Sequence, residues 1–269
     1  MIYKDQLMRE VRLDQPPSRI ICLVPSITEL LSDLGLDDRI AGITKFCIHP
    51  DHLFRNKPMV GGTKKVDHEK IKSLLPDLII ANKEENTKED VELLSQSYPV
   101  WISNITSLDE AIDMILKLGA ITGSESSAEK IVNTITGNFQ KLRQAYNIST
   151  LYLIWKSPYM GTASGTFVDD MLNRCGLRNV LAQHERYPEL SLEQIKELNP
   201  SLVLLSSEPF PFKEKHITEL KSLLPESDVL LADGEYFSWY GSRLIGAPSY
   251  FNSLLENLPF NRQSANYGN

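Results

Sequence analysis

The feature that most restricts the fold is a twelve-residue stretch that the chain contains twice: residues 69–80 read EKIKSLLPDLII and residues 193–204 read EQIKELNPSLVL. Glu69, Ile71, Lys72, Leu74, Pro76 and Leu78 recur as Glu193, Ile195, Lys196, Leu198, Pro200 and Leu202, at a constant offset of 124 residues. One long offset marks two similar halves, not a short-period array. Each copy opens on an N-cap candidate, Asp67 or Ser191, and places a glutamate in the first turn of an amphipathic helix. Pro76 or Pro200 stops that helix and a strand rich in Leu, Ile and Val follows. The two halves therefore present Glu69 and Glu193 at equivalent places.

The rest of the chain has the same character. Arg19–Val24 reads as a strand, followed by Pro25 and a capping box, Ser26-x-x-Glu29. Further strands are expected near 39–44, 78–81, 100–103, 151–155, 202–206 and 229–232. Helices are expected over 88–96, 167–174 and about 248–257. Strands alternating with helices imply mainly parallel sheets covered by helices. Ser107-x-x-Glu110 opens a helix ending near Gly119 or Gly123, and Ser126-x-x-Glu129 opens another. The second carries Ile131, Ile135, Phe139, Leu142 and Tyr146 on one stripe, a helix of about five to six turns. Its position between the two copies makes it the connector. The expected organisation is an N-terminal α/β lobe over 1–122, a connecting helix over 123–148 and a C-terminal α/β lobe over 149–269.

Composition excludes several functions. The net charge of −7 and the absence of any basic stripe argue against a nucleic-acid binder. Three widely spaced cysteines, Cys22, Cys47 and Cys175, form no CxxC pair and no disulfide framework. No apolar run approaches the roughly 20 residues that span a bilayer. The opening MIYKDQLMREVRL has no apolar core of a secretory signal and no lipid-attachment cysteine, so the chain as written reads as cytoplasmic.

Enzyme signatures fail one by one. The serine of Gly161-Thr-Ala-Ser-Gly165 is one place late for GxSxG. Gly61-Gly62-Thr63-Lys64 lacks the P-loop frame, and no GxGxxG follows the first strand. His49 and His52 are separated by Pro50 and have no third ligand nearby, so they read as solvated or locally bonded histidines. No catalytic residue and no protein metal site is expected. What stands out is aromatic density after strands: Phe46, Trp155 with Tyr159, and the run Asp233-Gly-Glu-Tyr236-Phe-Ser-Trp239-Tyr-Gly-Ser-Arg243. Carboxyl ends of parallel strands line the crevice where ligands bind, which makes the 236–239 segment, a loop with glycines on either side, a ligand wall.

RIICLVPSITELLSDLG, the VGGTKKVDHEKIKSLLPDLIIAN block, SLEQIKELNPSLVLL and DGEYFSWYGSR together resemble the helical-backbone (class III) substrate-binding proteins of ABC importers, of cobalamin- and ferric-siderophore-binding type. The resemblance implies two Rossmann-like lobes joined by one long helix, with a ligand cleft between the lobes. It implies a metal-chelate cargo, a cobalamin-like corrinoid, a ferric siderophore or haem, and no covalent cofactor. It implies docking of Glu69 and Glu193 onto ABC permease subunits, a monomeric state and a periplasmic or cell-envelope location. Phe46 and Tyr236 fall where the cobalamin binder has aromatic walls, whereas Thr63 and Asn82 stand in place of tryptophans. Lys64, Lys83, Lys156 and Arg243 are cations available to an anionic chelate. The expected ligand contacts are Pro25, Ser26, Phe46, Thr63, Lys64, Asn82, Trp155, Tyr159, Tyr236, Trp239 and Arg243. A cytosolic corrinoid- or chelate-handling protein of the same fold is the alternative.

Overall fold

The computed structural model describes residues 1–143, 147–256 and 258. They form two compact units: Met1–Ile105 with Asp109–Ile135 and Tyr240–Arg243, and Thr106–Leu108 with Thr136–Trp239 and the described residues from Leu244 on.

The first unit begins with a hairpin of β1 (Ile2–Lys4) and β2 (Glu10–Arg12). Buried Asp5 organises its turn, accepting from the Leu7 and Arg9 amides and from Arg9 Nε. Then follow β3 (Ile20–Cys22), α1 (Pro25–Asp33), β4 (Ile40–Ile43), α2 (Asp51–Asn56), α3 (His68–Ser73), β5 (Leu78–Asn82), α4 (Lys88–Ser95) and β6 (Val100–Ser103). The sheet has the order β4-β3-β5-β6 and every pair is parallel. Ile21, Leu23, Ile79 and Ala81 form its core with Ile71 of α3 and Leu94 of α4.

Two successive helices, α5 (Leu108–Thr122) and α6 (Glu125–Phe139), lead onward. Gly123, at φ +70°, ends the first, and its open surroundings show that conformation and not packing requires a glycine. The division between the units falls within α6, after Ile135. That helix is 15 residues long, shorter than the stripe predicts. Leu142 is buried but lies past the helix end, and Tyr146 lies outside the described residues, as does Asn257 at the expected end of the last helix.

The second unit contains β7 (Ile148–Trp155), β8 (Tyr159–Gly161), α7 (Phe167–Arg174), β9 (Leu177–Asn179), β10 (Glu189–Leu190), α8 (Leu192–Leu198), β11 (Leu202–Ser206), α9 (Glu214–Leu223), β12 (Asp228–Ala232), α10 (Gly234–Ser238) and α11 (Ala247–Glu256). Strands β9, β7, β11 and β12 are parallel neighbours in that order. This repeats the order of the first sheet, where the second strand flanks the first and the third and fourth lie on its other side. The outer half of β7 turns back through β8 to β10, an antiparallel extension that the sequence reading does not include.

The two copies coincide element by element. Asp67 accepts from the Lys70 amide, and Ser191 accepts from the Gln194 amide while Gln194 Oε1 accepts from the Ser191 amide. Ile71 and Ile195 are wholly buried, and β5 and β11 are five-residue strands buried at every position. Both copies also turn through a left-handed residue just before the proline, Leu75 at φ +47° and Asn199 at φ +41°.

Two capping expectations are corrected. Helix α1 starts two residues early, with Val24 as its N-cap and Pro25 as its first residue, so Ser26 lies inside the helix and Glu29 caps nothing. Proline's fixed φ and missing N–H suit that first position, which moves the start ahead of the serine. Likewise α6 starts at Glu125, with the Ala128 amide donating to Ser124 O, so Ser126 is not its cap. The 236–239 segment, expected as a loop, is largely the short helix α10, capped by Asp233 through the Glu235 amide.

Left-handed backbone costs an ordinary L-residue roughly 1–2 kcal/mol and asparagine less. Leu75 is 69% exposed and has little packing to lose. Leu75→Asn should therefore raise unfolding stability by about 1 kcal/mol, and Asn199→Leu should lower it by a similar amount, both measured by urea denaturation. A neutral or destabilising Leu75→Asn contradicts this account.

Candidate functional site

In each unit the segments that follow the strands gather at the carboxyl edge of a parallel sheet. In the first unit these are Val24–Ser26 after β3, Thr44–Cys47 after β4, Asn82–Asn86 after β5, and the segment Tyr240–Arg243, which packs with this unit. Phe46 is half exposed, with Lys45 Nζ 5.0 Å from its ring centre. Pro25 and Ser26 are buried at the start of α1. Asn82 is buried and works internally: its amide donates to Ser103 Oγ at 3.0 Å, and its carbonyl oxygen accepts from the Glu84 and Glu85 amides at 2.8 and 3.1 Å. Asn86 completes that loop, accepting from the Asn82 amide and donating to the carbonyls of Thr63 and Leu23. Thr63 is thus held through its backbone, and exposed Lys64 donates to Glu84 O at 2.5 Å.

Arg243 forks onto Glu29, Nε to Oε2 at 3.0 Å and Nη2 to Oε1 at 2.6 Å. Both side chains are largely covered, at 15% and 18% exposure. Burial raises the Glu29 carboxyl above its usual range, and the hydrogen bond and charge of Arg243 work against that rise. Tyr240 Oη donates to Glu85 Oε1 at 2.7 Å. Together these bonds fasten the 240–243 segment to α1 and to the loop after β5.

In the second unit the carboxyl edge is formed by Trp155 after β7, residues 207–212 after β11, and Asp233 with α10 after β12. Trp155 is 39% exposed and meets Phe210 edge-on at 5.7 Å. Tyr159 is buried; it donates to Glu219 Oε1 at 3.1 Å, and Lys156 pairs with the same carboxylate. Tyr236 is partly exposed and stacks on Tyr250 with centroids 4.6 Å apart. Phe237, by contrast, is fully buried against Tyr152 and Phe251. Trp239 is also buried, its indole N–H donating to Glu208 Oε1 at 3.0 Å beside Ser238 Oγ at 2.6 Å. Burial first, and then the charges of Glu235 and Asp233, raise the Glu208 carboxyl, while the two donors work against that rise.

The structure thus gathers the predicted residues at two strand-end edges, six with Arg243 in the first unit and Trp155, Tyr159, Tyr236 and Trp239 in the second. It also adds residues that sequence reasoning passed over. Glu208 and Phe210 sit in SSEPFPF directly after β11, where the aromatic-after-strand signal was already present. Glu29 and Tyr240 become visible only through their long-range partners. Of the histidines, His52 pairs with Asp37 at 2.7 Å and His68 with Asp90 at 2.7 Å. Among the described residues no group of three or more His, Cys, Asp or Glu is placed to hold a metal ion, and no helix is long and apolar enough to cross a membrane.

The model of the family described as periplasmic binding protein matches residues 20–225. The chain belongs to that family. The vitamin B12-binding protein of Vibrio cholerae serotype O1 is 28% identical over 197 residues, 71% of each chain. Among solved structures, the ABC-type Fe3+-hydroxamate transport system protein of Saccharomonospora viridis superposes with a TM-score of 0.76 at 18% identity, covering 95% of this chain and 98% of that one. The molybdate-binding protein of a Haemophilus influenzae ABC transporter gives a TM-score of 0.79 at 16% identity, covering 98% and 93%. At these identities the structures establish a shared fold. The relatives are binding proteins.

Glu208 supplies a pH test. A carboxyl with a folded-state pKa above its unfolded value binds its proton more tightly when folded. Stability then falls as pH rises from the ordinary glutamate value through the folded one. Glu208→Gln keeps an acceptor for Ser238 and Trp239 and removes the charge. The variant should be more stable than the parent at neutral pH, and the difference should vanish below the ordinary glutamate range, in melts across pH. A difference independent of pH contradicts this assignment.

Proposed function

We propose that this chain is the substrate-binding component of an ABC importer for a metal-chelate nutrient, a corrinoid, a ferric siderophore or haem. The observation that carries the reading is the family match over residues 20–225, joined to partly exposed rings at the carboxyl edges of both parallel sheets. Phe46 in the first unit and Trp155 and Tyr236 in the second are among the rings still offering a face or an edge. Flat macrocycles and chelates are held by such rings through area burial plus about 0.5–1.5 kcal/mol per aromatic contact. We assign the contacts to Pro25, Ser26, Phe46, Thr63, Lys64, Trp155, Tyr159, Tyr236, Trp239 and Arg243, with Asn82 shaping its loop. The metal arrives inside the cargo, so the protein needs no ligands of its own for it.

Titration with cyanocobalamin, haemin and a ferric hydroxamate, followed by tryptophan fluorescence, tests the reading. One of the three should bind at micromolar or better, and Trp155→Ala and Tyr236→Ala should each weaken it roughly tenfold, as loss of a ring contact and its buried area implies. If none binds, the chelate assignment falls.

We assign permease docking to Glu69 and Glu193. Both are exposed in the first turn of equivalent helices, α3 and α8. Glu193 is held ionised, its carboxyl lowered by its own amide and by Ser191. Glu69→Ala combined with Glu193→Ala should leave cargo affinity unchanged and abolish uptake through the cognate permease. Lost affinity would place the two carboxylates in the binding site.

A further inference from the structure

The sheet of the first unit ends at β6. The inner side of this strand is paired with the β5 segment: the Ile79 amide donates to Pro99 O and the Lys83 amide to Ser103 O, both at 2.9 Å. Carbonyls alternate along a strand, so those of Val100 and Ile102 face the outer side. Such an edge is a template for another chain, and proteins blunt it with charge, proline, a bulge or a cover. Strand β6 pairs with β5 without a register shift. Residues 98–105 read YPVWISNI, with no charged side chain and one proline placed ahead of the strand. Protection of this edge therefore rests on a cover.

The turn of the β1–β2 hairpin supplies it. The Gln6 amide donates to Ile102 O at 3.1 Å, and Gln6 Oε1 accepts from the Asn104 amide at 3.0 Å. In a parallel ladder one residue donates to a carbonyl and accepts from the amide two positions further on. Gln6 thus takes the place of one residue of a further strand, with its side-chain carbonyl in the role of the main-chain one. Arg9 Nη2 donates to Val100 O at 2.8 Å, so both outward carbonyls of β6 are taken. Gln6 Nε2 also anchors the turn to α5, donating to Glu110 O at 2.8 Å and Asp113 Oδ2 at 2.9 Å, and Leu7 packs on the core. Among the described strands β1 and β2 pair only with each other, so the hairpin ends the sheet instead of extending it. Met8 is its weak point: it sits at φ +64° and is 66% exposed, a conformation that costs an ordinary L-residue free energy.

We propose that the hairpin of residues 2–12 is a cap that keeps the β6 edge from pairing, and that the uncovered edge takes the same edge of a second copy of this chain. Val100, Trp101 and Ile102 are strand-forming and uncharged, so no like charges oppose each other when two such edges meet. Identical edges related by a two-fold axis pair antiparallel. The inference is independent of the cargo.

The test uses the full chain and compares the wild type with the double variant Gln6→Ala, Arg9→Ala and with Met8→Gly. In the double variant the Asn104 amide should exchange its hydrogen about fivefold faster, as loss of one hydrogen bond implies. Its mass by light scattering should rise with concentration toward that of a dimer, while the wild type stays at the mass of one chain. A synthetic peptide of residues 1–14, added in excess, should return the double variant to that mass. Met8→Gly should slow exchange at Asn104, because it relieves the turn. Should the double variant fail to fold, Gln6→Ala alone leaves Arg9 on Asp5 and serves for the same comparison. Faster exchange without association overturns the proposal, and so does exchange that does not change. Dimers that persist in the presence of the peptide overturn the assignment of the edge.

Discussion

Parallel strand pairing is the constraint from which the rest follows. A parallel neighbour cannot be reached by a tight turn, so the chain must cross over between parallel neighbours, and all the strands paired in this way point in one direction. Their carboxyl ends then share one edge. In both units the order places the first strand inside, with the second strand on one side and the third and fourth on the other. The connections leaving the first strand and its neighbours diverge there, and the chain can present side chains from several distant segments at one place. The residues singled out as ligand contacts come from these segments because the topology leaves few other places for them to meet.

Placement at that edge is not the same as availability. Asn82, Asn86, Glu29 and Glu208 all lie there, and their polar atoms are bonded to loop amides, to Arg243 or to Trp239. Their role is to fix loops that would otherwise be mobile, and the half-buried carboxyls accept a raised protonation range as the consequence. The rings separate in the same manner. Phe237 fills the core under α10, while Tyr236, one residue earlier, stacks on Tyr250 and keeps partial exposure. Each step along a helix rotates the next residue by about 100°, enough to send one ring inward and the next outward.

Much of this was legible in the chain. The repeat predicts α3, β5, α8 and β11, with the caps at Asp67 and Ser191 as expected, β11 with its observed bounds and β5 one residue short, because a cap, an apolar stripe and a proline stop are local signals that agree with the tertiary arrangement. Residues 167–174 and 202–206 were likewise read with their observed bounds. Local signals misled where two competed. Pro25 and Ser26 both mark a helix start, and the proline prevailed; α6 opens at Glu125, ahead of its expected cap Ser126. The 236–239 run was read as a loop because its glycines suggest one, yet Asp233 caps a helical turn in it. Partners far apart in sequence, such as Glu29 with Arg243 and Glu85 with Tyr240, leave no periodic trace. Nor does the β7–β8 hairpin, whose turn through Lys156–Pro158 lacks the Asn-Gly or Asp-Gly signature of a tight two-residue loop.

The locked Arg243 changes how an anionic cargo can be held. Glu29 takes the Nε and Nη2 edge of Arg243, so a ligand carboxylate that took over that edge would leave Glu29 covered and unpaired, and breaking a buried pair in this way typically costs about 3–5 kcal/mol. Exchanging one carboxylate for another returns only the new bond, so the net gain is small or negative unless Glu29 takes up a proton. Its raised range makes that uptake easier. Lys156 is likewise engaged with Glu219, and Lys64 with a backbone carbonyl. An acidic oxygen of a cargo therefore gains little from the cations that the sequence offers first, because each already holds an acceptor of the protein.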